Sequence, residues 1–104
     1  MTHAMTTLSI DQDVFAQSVA FTDDSLVVHL DDGRSVSVPL AWYPRLQRAS
    51  RAEREDFELI GDGEGIHWPR LDEDISVEGI LAGRRSAESA ESLRRWQQGR
   101  QNAG

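Results

Sequence analysis

His67 and the acidic triplet Asp72-Glu73-Asp74 form the densest chemical constellation in the sequence. An imidazole beside carboxylates can ligate a metal ion or pass a proton, because histidine titrates near neutrality and a carboxylate fixes its tautomer. No second histidine stands at ligand spacing: His29 belongs to a different strand-like run, and His3 lies in the first few residues. The same residues have a plainer reading. His67 alternates with Ile66 and Trp68 as a strand residue does, and three acids ahead of Ile75 suit the start of a helix, where the dipole favours negative charge. Gly61-x-Gly63-x-Gly65 imitates a phosphate loop, yet it leads into a strand and carries Asp62 and Glu64, so it reads as a hairpin turn. Asp11-Gln12-Asp13 lacks the further ligands of a calcium loop, and no Gly-x-Ser-x-Gly elbow occurs. Cysteine is absent and all 11 basic residues are arginine, which excludes disulfides, thiolate zinc sites, cysteine nucleophiles and lysine Schiff bases in this chain. No catalytic residue, metal ligand or cofactor is assigned.

The large aromatics and nearby arginines suit recognition better than catalysis. Trp42 and Trp68 flank apolar runs and read as core or half-core residues. Trp96 lies on a thin apolar stripe, Ala90, Leu93 and Trp96, next to Arg95, the pairing that interface hot spots favour. Arg45 and Arg48, three apart, share the outer face of a short helix, either solvated or gripping a partner's carboxylates.

These residues need a frame. Residues 14–21 read as a strand that stops at Thr22-Asp23-Asp24. Leu26, Val28 and Leu30 alternate onto one face, as do Val36, Val38 and Leu40. A two-residue turn would set apolar residues opposite serines. A three-residue loop, Asp31-Asp32-Gly33, instead pairs Val28 with Val36 and Leu26 with Val38, with Gly33 in the left-handed position of a G1 bulge. Pro39 ends the strand, and Pro44 opens a helix over about Pro44–Ala49 that buries Leu46 and Ala49. Ser50-Arg51-Ala52-Glu53 has capping-box spacing, so a helical turn starts at Arg51. Phe57–Ile60 and Ile66–Trp68 form a second hairpin. The triplet then leads into a helix over 75–83, capped by Asp74 or Ser76 and ended by Gly83. Residues 86–100 are helix-prone, with a Glu91–Arg95 pair, and the end from Gln97 should fray.

Thirty apolar side chains larger than alanine suffice for one small domain. The expected class is α+β: a small antiparallel, meander-like sheet of about five strands with short helices and a C-terminal helix. Residues 1–13 form a flexible lead-in, 14–83 the domain, and 84–104 the helix and tail. No run is long enough to span a membrane and no secretory signal opens the chain, so a cytoplasmic location is expected. The net charge of −7 is uneven. Residues 52–78 carry ten acids against Arg54 and Arg70, whereas residues 84–104 carry five arginines against Glu88 and Glu91. The acidic middle repels phosphates and attracts a basic partner.

Asp32-Gly33-Arg34, Val38-Pro39-Leu40, residues 42–46, Gly65-Ile66-His67-Trp68-Pro69 and the stretch Leu71–Gly83 together resemble a bacterial family, domain of unknown function 2442, over roughly Val14 to Gly83. The resemblance implies a small α+β domain and little chemistry. Some members carry a helix-turn-helix domain afterwards. Many are encoded beside another small reading frame, an arrangement like a toxin–antitoxin pair. The 21 residues after Gly83 are too few for a helix-turn-helix domain, so DNA binding is not carried over. The expectation is therefore a non-enzymatic protein–protein interaction module, an antitoxin-like member of a two-gene pair. Its partner is a basic small protein encoded nearby, with a homodimer as a further form. Trp42, Arg45, His67, Trp68, Asp72, Glu73, Asp74, Leu93 and Trp96 are its candidate interaction residues. The rival readings are a regulator touching nucleic acid through Arg84, Arg85, Arg94, Arg95 and Arg100, and a metal- or carboxylate-dependent enzyme around His67.

Overall fold

A computed structural model describes residues 14–103. The expectation for residues 1–13 lies outside them. Strands β1 (Ala16–Phe21), β2 (Ser25–Leu30) and β3 (Ser35–Pro39) form one antiparallel sheet in that order. Val28 faces Val36 and Leu26 faces Val38, the register that matching apolar faces dictates. Gly33 sits at φ 94°, as the three-residue loop requires.

A 3-10 turn (Leu40–Trp42) follows, then α1 (Pro44–Gln47) with Pro44 in its first turn and α2 (Arg51–Glu55). Helix α1 is shorter than expected, and Ala49 is only partly buried beyond its end. The capping box is complete: the Glu53 amide donates to Ser50 Oγ at 3.2 Å, and the Ser50 amide donates to Glu53 Oε1 at 2.8 Å. Arg54 reaches back from α2 to donate to the carbonyls of Leu46 and Gln47 at the C-terminal end of α1.

Strands β4 (Glu58–Ile60), β5 (Gly65–Trp68) and β6 (Glu73–Ser76) make a second antiparallel sheet in that order. The fold is thus α+β, with six strands in two sheets where about five in one were expected. The difference lies at the acidic triplet. Asp72 adopts φ 53° and turns the chain back after Trp68, so Glu73 and Asp74 pair along β5 rather than lead a helix. An aspartate tolerates that left-handed conformation better than most residues. The helix, α3 (Val77–Leu81), starts later with Ser76 as its cap, its hydroxyl accepting from the Gly79 amide at 2.9 Å. Gly63, in the β4–β5 turn, ties the sheets together: its carbonyl accepts from the Ala16 amide at 2.8 Å. At φ 107°, an added Cβ would meet the Ala16 carbonyl oxygen at 2.4 Å, so only glycine fits.

One core joins both sheets, with Leu26, Leu46, Ile66, Trp68 and Leu71 wholly buried. The Trp68 ring lies edge-on to Phe21 at 6.4 Å and tilted to Phe57 at 6.3 Å. Its indole N–H donates to the Arg54 carbonyl at 2.9 Å, so the buried polar atom is satisfied. The last helix, α4 (Ala90–Ala103), continues through Gln97, where fraying was expected, and Trp96 packs against the core cluster. Among the described residues, no helix is long and apolar enough to cross a membrane.

Candidate functional site

The structure divides the candidate residues into three places. Trp68 is core and reaches no surface. The second sheet carries His67 and Asp74 on its outer face, and the start of the chain's last segment gathers Trp42, Arg45, Glu73 and Trp96.

On the outer face, pairing register sets a row across all three strands: Glu58 on β4, His67 on β5 and Asp74 on β6. Strand alternation puts their neighbours Ile66 and Ile75 on the opposite, buried face. His67 Nδ1 pairs with Asp74 Oδ1. That bond, then the charges of Glu58 and Asp72, hold the imidazole above its ordinary titration value. The arrangement favours an imidazolium between carboxylates rather than a free base. Among the described residues, no three His, Asp or Glu side chains converge as metal ligands do. Beside the row, Ile60 is 45% exposed and lies against Gly65, and Leu59 is 37% exposed. Strand β4 is at the sheet edge, with β5 on one side only.

Arg45 overturns its expected role as a solvated residue. Its guanidinium donates from Nε and Nη2 to the Glu88 carboxylate at 2.7–3.1 Å and from Nη1 to the carbonyls of Leu71 and Asp72 at 2.9 and 3.2 Å. Side-chain exposures of 15% and 9% mark this as a largely buried pair. Hydrogen bonding to Arg45 lowers the Glu88 titration and raises that of Arg45. A matching pair stands further along α4: Arg100 Nη2 donates to Glu53 Oε1 at 2.8 Å. That bond, together with the Ser50 amide, pulls the Glu53 carboxyl down to about 2. Trp96 packs against both cations, 5.1 Å from the Arg45 guanidinium and 4.6 Å from that of Arg100. Arg48 stays exposed, as its outer-face position implied.

The remaining candidates fall around this clasp. Trp42 is half-buried under Arg85 at 4.7 Å, and its carbonyl accepts from the Ser86 amide at 3.0 Å. Leu93 is partly buried on α4, and Ala90, on the same expected stripe, is exposed. Asp72 is exposed at its turn. Glu73 is half-buried opposite Trp68, and burial pushes its carboxyl up to about 7 despite the nearby Arg45 charge. Three residues escaped the sequence reading of the site, Glu58, Glu53 and Glu88, and Arg100 was read as a nucleic-acid contact rather than as the partner of Glu53. Strand alternation could have found Glu58, two positions before Ile60 on the same face. The others act across 43 and 47 residues of chain, a separation no local spacing reveals.

A family model described as protein of unknown function (DUF2442) matches residues 16–86, ending just before α4. No curated protein matches the chain. Among solved structures, the crystal structure of a protein of unknown function from Rhodospirillum rubrum is similar at 27% identity and a TM-score of 0.63. The match covers 73% of this chain and 94% of that one. The solution structure of an uncharacterised protein from Chromobacterium violaceum matches at 22% identity with a TM-score of 0.63, covering 91% of this chain and 89% of that one; it shows the shared fold. With 71 consecutive residues matched and the fold shared, the chain belongs to the DUF2442 family of proteins of unknown function.

Proposed function

We propose that the chain is a non-enzymatic, cytoplasmic protein–protein interaction module, the antitoxin-like member of a two-gene pair, and that it receives a small basic partner on the outer face of its second sheet. The observation that carries this reading is the exposed edge of β4. There Ile60 stands out beside Glu58, Asp74 and the paired His67, and Leu59 is exposed on the other face of the same strand. An open strand edge can accept a partner strand through backbone hydrogen bonds, and an apolar spot ringed by acids suits a segment with basic residues beside apolar ones. The tail offers less to nucleic acid: Arg100 pairs with Glu53 and Arg95 with Glu91, and Arg85 lies over Trp42. Imidazole chemistry has less to draw on too, since Asp74 occupies His67 Nδ1.

Co-expression with the small protein encoded beside it tests the reading. The expected result is a complex that survives purification and weakens at least tenfold in Glu58→Lys/Asp74→Lys, while reversal of the exposed Glu91 on α4 leaves it intact. Equal loss from both reversals, or no complex with the unaltered chain, contradicts it.

A further inference from the structure

Three arginines of the described residues are partly buried: Arg45, Arg54 and Arg100. Glu88 answers Arg45 and Glu53 answers Arg100. Arg54 has no carboxylate partner among the described residues. Its Nε and Nη2 donate to the Leu46 and Gln47 carbonyls at 2.8 and 2.9 Å, and its guanidinium lies 5.9 Å from the centre of the Phe21 ring. Nη1 makes no hydrogen bond among the described residues. The carbonyls orient this cation but bring no full counter-charge. It borders a cleft of about 600 Å3 between β1 and α2, walled by residues 19–23 on one side and by Arg51, Glu55 and Phe57 on the other. Asp23 and Glu55 stand at the exposed rim, Glu55 beside Arg51 at 3.4 Å, so the charge inside the cleft is that of Arg54.

The cleft follows a free strand edge. β1 has β2 on one side only. The Thr22 amide bonds to the Ser25 carbonyl of β2, so ladder alternation turns the N–H and C=O of Val19 and Phe21 away from β2. Ala20 and Phe21, whose side chains point to opposite faces, both line the cleft, which puts it along the edge and not over one face. Val19, Phe21 and Phe57 supply apolar walls that the core covers only in part. A second copy of this chain would bring its own β2 along the far side of its β1, where α2 already stands. The cleft therefore suits one extended segment and not a paired sheet.

We propose that this cleft binds an extended acidic peptide segment of another protein. The segment adds a strand to β1 through the backbone of Val19 and Phe21, and its carboxylate pairs with Arg54. An apolar side chain two positions from the acid, hence on the same face of the segment, rests on Phe21 and Phe57. The ligand chemistry is opposite to that proposed for the second sheet, so the two sites take different partners and either stands without the other.

Selection of a displayed library of random heptapeptides on the full chain tests the proposal. The enriched sequences should carry Asp or Glu with an apolar residue two positions away. A synthetic peptide of the enriched sequence, capped at both ends, should shift the amide signals of Val19 and Phe21 more than those of β3. It should bind at least tenfold more weakly to Arg54→Gln. Exchanging the peptide's acid for its amide should cost the unaltered chain as much, a reading that holds even where Arg54→Gln folds poorly. Failure to enrich any sequence, enrichment of basic sequences, or binding indifferent both to Arg54 and to the peptide's acid overturns the proposal. So do shifts centred on β4, or free acetate displacing the peptide as effectively as the peptide itself, which would mark a site for small carboxylates.

Discussion

Two polar regions of this molecule have opposite fates. Around α4, charges face inward: Glu88 and Arg45 are mostly hidden, Glu53 is buried, and the Trp96 indole packs against two guanidinium groups. On the outer face of the second sheet, Glu58, Asp74 and Ile60 look out. The inward charges build structure, because a largely buried ion pair that loses one partner leaves the other desolvated. The outward charges cost nothing to leave in water and contribute little to stability, which leaves them free to meet a partner. The same residue types thus serve the fold in one place and a surface in the other.

The contrast can be broken most forcefully at Arg45. Arg45→Ala leaves the Glu88 carboxylate with the Ser92 hydroxyl and no counter-charge, strips the donor from the carbonyls of Leu71 and Asp72, and should lower stability by about 2–4 kcal/mol in chemical denaturation. A loss below 1 kcal/mol would place this pair with ordinary surface bridges. His67→Gln should have a smaller effect, visible mainly as a lost pH dependence. Its imidazole titrates above the ordinary value in the fold, so the stabilisation from Asp74 is complete below about 6.5 and disappears as pH rises through the raised value. Melting temperatures at pH 6 and pH 8 should therefore differ more in the unaltered chain than in His67→Gln. The smallest stability effect belongs to Glu58→Lys, which leaves the His67–Asp74 bond in place and is expected within about 0.5 kcal/mol of the unaltered chain even though partner binding weakens. A large destabilisation there would mean that the outer face, too, serves the fold.

The parts legible in the sequence are those governed by short-range rules. The first hairpin's register follows from the parity of apolar residues 26–40, because a one-residue slip would turn a whole face outward. The Ser50–Glu53 capping box and the Gly83 stop are read from spacing alone and stand as expected. Strand β6 was illegible because Glu73-Asp74-Ile75-Ser76 is only four residues long and acids beside a short apolar run suit a helix start equally well; the Asp72 turn decides it. The clasp was illegible for another reason. Glu53 announces a cap by its local spacing, but its second role, receiving Arg100, depends on how the chain folds back. Arg45 and Trp96 were singled out for recognition, and both do recognise something: each other, within one chain.

Chemical-shift mapping by NMR, on adding the proposed small basic partner, asks the central question of where that partner sits. Shifts concentrated at Glu58, Leu59, Ile60, His67 and Asp74, with α4 unmoved, are the expected result. Shifts confined to α4 and the arginines of the tail would contradict the assignment of the second sheet as the docking face.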